Sequence, residues 1–286
     1  MTAIRPRICA LVLAVGLAVS GVAHAEEAER GALTPGDAGY YYDTSALVTY
    51  GALGGYLAVT LLMEPPEKPR FFAVPAAPEE YRGDTLPNWT ISLFASPTLA
   101  VVLLADTDAR WYQTKGAISA FATTVFLTEF TKNFAGRHRP DYDPTHPEAG
   151  GPDGRKSFFS GHSSLTLVST TYLAWFLHGE LFPTLRKPDG AMRWWEPLAY
   201  LGLAGVSVGV PVSRVIDNRH NPSDVLVGSL VGASVATGFY FWHRQQARRA
   251  GIGKHRESAH AGSTPRRGWL VMPSAYPAGA SALLRF

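Results

Sequence analysis

Six apolar stretches separated by polar connections set the pattern of this chain. None of them shows the strict alternation that is typical of a half-buried strand, and lengths of about 15 to 20 residues suit helices. The sequence therefore predicts an all-α fold, a helical bundle of about six core helices. The predicted helices cover residues 44 to 63, 86 to 105, 116 to 131, 163 to 178, 197 to 211 and 225 to 242.

The N-terminus has the pattern of a secretory signal peptide over residues 1–25. Arg5 and Arg7 precede an uncharged apolar run, and Ala23-His24-Ala25 forms an A-x-A cleavage site before an acidic segment. An uncleaved membrane anchor is the alternative, and in both cases the chain leaves the cytoplasm. After the signal we predict an N-terminal segment, a helical domain and a basic tail, at residues 26–43, 44–242 and 243–286.

The apolar stretches also raise the question of a membrane. The first two are uncharged for about 20 residues, which is enough to span a bilayer, and the basic tail predicts a cytoplasmic C-terminus. An exported N-terminus followed by six crossings would instead place the tail outside. Either one stretch does not cross, or the chain is a soluble periplasmic protein. We favour the membrane, and we expect the stretch with Pro97 to be the broken or re-entrant one.

Composition excludes several classes of protein. With 46% apolar and 17% charged residues, a chain of 286 residues is not disordered. The net charge of +3 is spread along the chain except in the tail, so nucleic-acid binding is not predicted. The only cysteine is Cys9, which excludes a disulfide framework and a cysteine-based metal site.

A charged segment, SRVIDNRHNPSD at residues 213–224, stands between the last two apolar stretches. Asn221 and Pro222 are typical of a helix start, with Asn as the N-cap and Pro in the first turn. Asp224 then lies close to His220, where it could accept the Nδ1 proton and leave Nε2 as a nucleophile. The alternative is a capping aspartate beside an ordinary loop histidine.

A second cluster, Ser160-Gly161-His162, begins the fourth apolar stretch. Small residues at a helix N-terminus expose backbone N–H groups, which together with the helix dipole bind anions. His162 beside them could protonate a leaving oxygen. A serine-rich N-cap with an incidental histidine is the alternative.

A third cluster supplies positive charge. Lys132 ends the third apolar stretch, and Arg139 follows seven residues later, just before Pro140. With Arg214 they would give three fixed cations, the arrangement that stabilises a five-coordinate phosphoryl group. The alternative for such a basic helix end is a solvated terminus that complements the helix dipole.

Together the three clusters resemble the signature of the type 2 phosphatidic acid phosphatase family, which includes bacterial acid phosphatases and vanadium haloperoxidases. The resemblance covers residues 116 to 242, and the sequence around the three clusters is most similar to the lipid-phosphatase branch. One departure is Phe159, because the family usually has Pro before Ser-Gly-His.

The resemblance implies a role for each residue of the signature. His220 would attack phosphorus and form a phosphohistidine, Asp224 would orient it, and His162 would protonate the leaving alcohol. No cofactor or metal is implied, and Arg137, His138, Asp217 and Arg219 receive no role. The phosphate would be held at one end of the bundle, between helix-connecting loops, by Lys132, Arg139, Ser160, the Gly161 N–H and Arg214.

The function implied is a metal-independent phosphatase acting on a phosphorylated lipid, a phosphate monoester or a diphosphate. We expect it in a bacterial-type inner membrane with the active site facing the periplasm. A soluble periplasmic acid phosphatase of wide substrate range, a vanadium haloperoxidase and a non-catalytic membrane scaffold are the alternatives. The sequence predicts neither the particular lipid nor the oligomeric state.

Overall fold

The structure is a computed structural model, and it describes residue 35 and residues 38–71, 90–143, 145, 152–186 and 190–252. The predicted signal peptide lies outside these residues, as does the tail after Ile252. Both remain predictions.

The described residues are helical and include no strand, so the predicted all-α fold is confirmed. A 3₁₀ turn at Pro152–Arg155 precedes the fifth helix, and a π-helical turn at Leu177–Leu181 follows it. The α-helices are α1 Ala38–Tyr42, α2 Thr44–Leu62, α3 Thr90–Leu104, α4 Arg110–Ala135, α5 Gly161–Phe176, α6 Phe182–Leu185, α7 Glu196–Ile216 and α8 Pro222–Arg249.

Each of the six predicted core helices corresponds to one long helix of the structure, although some ends differ. α4 begins at Arg110, six residues before the predicted start. The prediction began too late because the first turns of α4 carry polar residues, and these are buried all the same. α8 likewise continues to Arg249, past the apolar part of its sequence. α3 runs without interruption through Pro97, so the helix is not broken there. The other form of that expectation, a re-entrant stretch that does not cross, stays a prediction.

The centre of the bundle is the crossing of α5 and α8, with α4 packed against both. At this crossing a Cβ atom added to Gly232 would come within 2.1 Å of the Ser164 carbonyl oxygen, and one at Gly228 within 2.7 Å of the Ser160 carbonyl oxygen. Only glycine permits backbones to approach this closely. The core around the crossing includes Val168, Tyr172, Phe176, Ala236 and Tyr240.

Pairs of hydroxyl groups set the register between neighbouring helices. Such pairs satisfy the hydrogen-bonding capacity of buried hydroxyl groups in an apolar bundle, where water is not available as a partner. The oxygen atoms are 2.7 to 3.0 Å apart in the pairs Thr49–Ser119, Thr98–Ser169, Thr170–Ser207 and Thr128–Ser164.

The core helices run alternately up and down, and this order fixes which segments share an end. The N-cap of α2, Asp43, forms an ion pair with Lys115 near the start of α4. His243, near the end of α8, also contacts that part of α4, at Gly116. The start of α2 and the end of α8 therefore lie at the same end of the bundle, which we call the distal end.

Three of the described helices are long and apolar enough to cross a membrane: Thr44–Leu62, Glu196–Ile216 and Pro222–Arg249. Their outer faces expose large apolar side chains, including Leu57, Leu201 and Leu230. Length and surface together indicate a membrane protein.

Candidate active site

The three clusters found in the sequence meet at the end of the bundle opposite the distal end. The first turns of α5 and α8 are joined there by a hydrogen bond from the Ser160 N–H to the Asp224 carbonyl oxygen, at 3.1 Å. The end of α4 lies beside them, because a Cβ atom on Gly161 would be 3.3 Å from the Lys132 Nζ atom. The turn between α7 and α8 carries His220.

The start of α8 agrees with its sequence. Asn221 is the N-cap, Pro222 is in the first turn, and Asn221 and Asp224 form a reciprocal capping box. The Asn221 N–H donates to Asp224 Oδ2 at 3.0 Å. The capping role and the predicted position beside His220 are therefore both present, and one does not exclude the other.

Asp224 is fully buried and surrounded by donors. The Arg137 guanidinium donates to Oδ1 and also to the Ser223 hydroxyl, the latter at 2.8 Å. The Ser157 hydroxyl donates to Oδ2 at 2.5 Å. A buried carboxylate needs this number of partners, because an unpaired charge away from water is costly.

His220 is 4% exposed and is held by its backbone and its ring. Its N–H donates to the Arg214 carbonyl oxygen at 3.2 Å. The Nδ1 atom lies 3.9 Å from Asp224 Oδ2, which is too long for a hydrogen bond, and 3.5 Å from the Ser157 hydroxyl oxygen.

The electrostatic surroundings of His220 favour its neutral form. Burial first of all, and the positive charges of Arg139 and Lys132 in addition, lower the pKa of His220 to about 4 against the opposing effect of Asp224. A neutral imidazole near pH 7 has a lone pair available for attack.

The start of α5 forms the other wall of the site. Ser160 is the N-cap, and its hydroxyl oxygen accepts from the Ser163 N–H at 3.4 Å. His162 stands in the first turn and is 6% exposed. The N–H groups of this turn and the helix dipole face the end of α4 that carries Lys132, as anion binding requires.

The cations of the site are held by acidic partners or by the backbone. Lys132 Nζ is 3.2 Å from Glu129 Oε1, and Arg214 Nη2 is 2.5 Å from Asp217 Oδ2. The Arg139 N–H donates to the Gly154 carbonyl oxygen at 2.9 Å. The two ion pairs fix the charged groups of Lys132 and Arg214 before an anion arrives, which reduces the reorganisation that binding requires. For Arg139 the contact fixes the backbone from which the side chain extends.

Three residues with close contacts in the site received no role from the sequence. Arg137 and Ser157 donate hydrogen bonds to the Asp224 carboxylate, and Asp217 accepts one from Arg214. Each lies within four residues of a recognised member of the signature. That proximity is the only signal in the sequence that could have indicated them.

Comparisons with known proteins agree with the signature. The model of the PAP2 superfamily matches residues 114–248. A PA-phosphatase related-family protein of Dictyostelium discoideum is 33% identical over 55% of this chain and 60% of its own length. Diacylglycerol pyrophosphate phosphatase 1 of Saccharomyces cerevisiae is 30% identical over 51% of this chain and 60% of its length. Phospholipid phosphatase 1 of Rattus norvegicus is 40% identical over 29% of this chain and 28% of its length.

The chain thus spans about 60% of the first two relatives. No solved structure matches. The match to the superfamily covers α4, α5, α7 and α8, the four helices that build the site, and the relatives with printed activities are lipid phosphatases. Residues 114–248 therefore match the PAP2 superfamily, and this part of the chain is similar to lipid phosphatases.

Proposed function

We propose that this protein is a phosphatase that hydrolyses a lipid phosphate monoester or diphosphate through a phosphohistidine on His220. The observation that carries the proposal is a buried histidine of low pKa at the start of α8, which is bonded to the N-cap of α5, with Lys132 and Arg139 close enough to lower that pKa. A nucleophile and an anion site at one point are the requirements of phosphoryl transfer.

In the first step the lone pair of His220 Nε2 forms a bond to phosphorus, and the bond from phosphorus to the ester oxygen breaks. The electron pair of that bond stays on the leaving oxygen, which takes a proton from His162. In the second step a water gives a proton to His162 and attacks phosphorus. The Nε2–phosphorus bond then breaks, and inorganic phosphate leaves.

The phosphate-binding groups act on the charge that develops on the equatorial oxygens. We assign this to Lys132, Arg139 and Arg214, together with Ser160 and the Gly161 N–H. Fixed donors and cations in a site shielded from water stabilise that charge more than they stabilise the ground state.

A lipid substrate is supported by the outer surface of the bundle. Large apolar side chains such as Leu198, Leu201 and Val208 on α7 are more than half exposed, which suits contact with lipid rather than with water. This favours a membrane enzyme over the soluble periplasmic acid phosphatase. The yeast and rat relatives, named for a lipid diphosphate and for phospholipids, point to the same class of substrate.

We expect phosphate release from a panel of lipid phosphates to persist in excess EDTA. The physical reason is that three cations and two histidines carry the charge and the protons that a metal ion would otherwise handle. The assay measures inorganic phosphate from purified protein in detergent, with phosphatidate, phosphatidylglycerol phosphate, undecaprenyl diphosphate and lipid A as substrates. Loss of activity in EDTA that zinc or magnesium restores would refute this mechanism.

A second expectation concerns acid stability. The pKa of His220 in the folded protein, about 4, lies below its ordinary value of 6.5. The stability gained by burying the neutral ring is therefore complete above pH 6.5 and is lost as the pH falls toward 4. His220→Gln cannot be protonated, so its midpoint of thermal unfolding should fall less over this range than that of the wild type. Parallel curves for the two proteins would contradict the low pKa.

The orientation in the membrane is also part of the proposal. Arg244, Arg248 and Arg249 lie at the distal end, which by the positive-inside rule should face the cytoplasm. The active site then faces the periplasm. A cleaved and exported signal would predict the opposite orientation, because α2 also starts at the distal end.

Alkaline phosphatase fusions separate these orientations. Fusion after His146, in the connection on the active-site side, should be active, and fusion after Arg249 should be inactive. Activity in both would show the soluble periplasmic form. The reverse pattern would place the active site in the cytoplasm and overturn the proposed localisation.

A further inference from the structure

The ring of His220 and the carboxylate of Asp224 are separated by a third residue. Ser157 Oγ lies 3.5 Å from His220 Nδ1 and 2.5 Å from Asp224 Oδ2, whereas the direct distance between those two atoms is 3.9 Å. Ser157 is fully buried. Its own N–H donates to the Arg137 carbonyl oxygen at 2.9 Å, so the hydroxyl group is presented from a fixed backbone.

His220, Ser157 and Asp224 form a row, and its hydrogen atoms can be assigned from the acceptors. A serine hydroxyl has one hydrogen and two lone pairs. The short contact to Asp224 takes the hydrogen, because a carboxylate can only accept. The remaining capacity of Ser157 Oγ toward His220 is a lone pair. Of the two neutral tautomers of His220, the one with its hydrogen on Nδ1 can donate to that lone pair.

The carboxylate is kept in place by groups on its other sides. Arg137 donates to Oδ1, and the Asn221 N–H donates to Oδ2. With these donors Asp224 stays ionised and continues to accept from Ser157 rather than to donate to it. The order of the three groups therefore favours one arrangement of hydrogens.

We propose that Ser157 is a positioning residue that links Asp224 to His220 and fixes the Nδ1–H tautomer. Nε2 is then the nitrogen with the free lone pair. This inference rests on the proposed function only for its effect on turnover, because the tautomer can be observed without substrate. Arg137 supports the same row by holding the far oxygen of Asp224.

The row also explains how the charge of the intermediate is accommodated. When Nε2 bonds to phosphorus, the imidazole ring becomes positively charged and keeps its Nδ1 hydrogen. The Nδ1–H···Oγ contact shortens as the donor becomes charged, and the Ser157 hydroxyl stays bonded to Asp224. No proton leaves the row, and the leaving oxygen still receives its proton from His162.

The first test is the tautomer of His220 in the substrate-free protein. Nitrogen-15 NMR of histidine-labelled protein near pH 7, with His220 assigned by comparison with His220→Gln, should show Nδ1 protonated in the wild type. Ser157→Ala should show a mixture of tautomers. A wild-type ring protonated at Nε2, or an unchanged ring in Ser157→Ala, would overturn the proposal whatever the enzyme hydrolyses.

The second test is turnover. Ser157→Ala should lower kcat by about 10²-fold with little change in KM, which is less than the about 10⁴-fold loss seen when a tautomer-fixing carboxylate is replaced. Ser157→Thr keeps the hydroxyl group and should recover most of the rate, whereas Ser157→Cys keeps the volume and should not. Equal rates for the threonine and cysteine variants would contradict the link, even if the alanine variant did not fold.

A matched control is another buried serine at a helix contact far from the site. Ser169→Ala removes a hydroxyl pair with Thr98 and should lower stability while leaving kcat and the His220 tautomer unchanged. If Ser169→Ala lowered kcat as much as Ser157→Ala, the effect would be one of stability, and the proposal would fail. Inactivity of the wild type on every phosphate ester would instead refute the proposed function.

Discussion

His220→Ala should abolish phosphate release, with a loss of turnover of about 10⁶-fold, as when a covalent nucleophile is removed. The physical reason is that His220 is buried, that its low pKa keeps the ring neutral, and that Lys132 and Arg139 are close enough to act on its charge. The acid-labile phosphoenzyme should disappear as well. Brief reaction with ³²P-labelled lipid phosphate, followed by denaturation in alkali, measures the trapped phosphoenzyme directly.

His162→Ala should distinguish the role of His162, as proton donor, from that of His220, as nucleophile. Without a proton donor, departure of a poor leaving alcohol should slow by about 10²- to 10⁴-fold. An activated aryl phosphate needs little protonation and should be affected much less. Dephosphorylation should also slow, because the same residue activates the attacking water, so the phosphoenzyme should accumulate when the substrate is an aryl phosphate.

A control for both variants is His178→Ala. His178 lies beyond the end of α5, where its Nδ1 atom is 3.4 Å from the Tyr200 hydroxyl oxygen, and it should leave turnover unchanged. A phosphoenzyme that is still trapped in His220→Ala would show that another residue is the nucleophile. Equal effects of His162→Ala on alkyl and aryl substrates would rule out its role as the general acid.

The helices and their starts could be read from the sequence because they depend on local chemistry. An apolar run of 15 to 20 residues has few alternatives to a helix. Asn221 is the N-cap of α8 as predicted. α5 begins at Gly161, two residues before its predicted start, with Ser160 as its N-cap, so the serine N-cap that was given as an alternative is present. The end of α4 was less exact, because the helix stops at Gly136 with φ of 60°, four residues before Pro140.

The contacts inside the site could not be read in the same way. Arg137 and Asp224 are 87 positions apart, and their pairing depends on how α4 and α8 are brought together. Ser157 lies in the connection between α4 and α5 and received no role from the sequence. The insertion of its hydroxyl between two recognised residues follows from the path of the chain before α5, which no spacing rule describes.

The distance between the two histidine clusters is set by the helix crossing rather than by the loops. Ser160 and His162 are on the first turn of α5, and His220 precedes α8. The two helices are in close contact about two and three turns along α8, where Gly228 meets Ser160 and Gly232 meets Ser164. A larger residue there would separate the helices and, with them, the nucleophile from the anion site.

Gly232→Ala should therefore lower both stability and turnover. Its Cβ atom would lie 2.1 Å from the Ser164 carbonyl oxygen, a backbone atom that cannot rotate away, so the helices must move apart. We expect a loss of about 2 to 3 kcal/mol in the free energy of unfolding, the usual range for overpacking, and a fall in kcat/KM. Thermal unfolding in detergent and the phosphate-release assay measure the two effects on the same sample.

Gly238→Ala is the matched control on the same helix, because nothing lies within 4 Å of a Cβ atom at that position. Alanine in a helix interior is favoured over glycine by about 1 kcal/mol, so this variant should be as stable as the wild type or more stable. The two substitutions are chemically identical, so the opposite changes expected in the free energy of unfolding come only from the position of Gly232 at the helix crossing. If Gly232→Ala were as stable and active as Gly238→Ala, the close approach of α5 and α8 would not be what holds the site together.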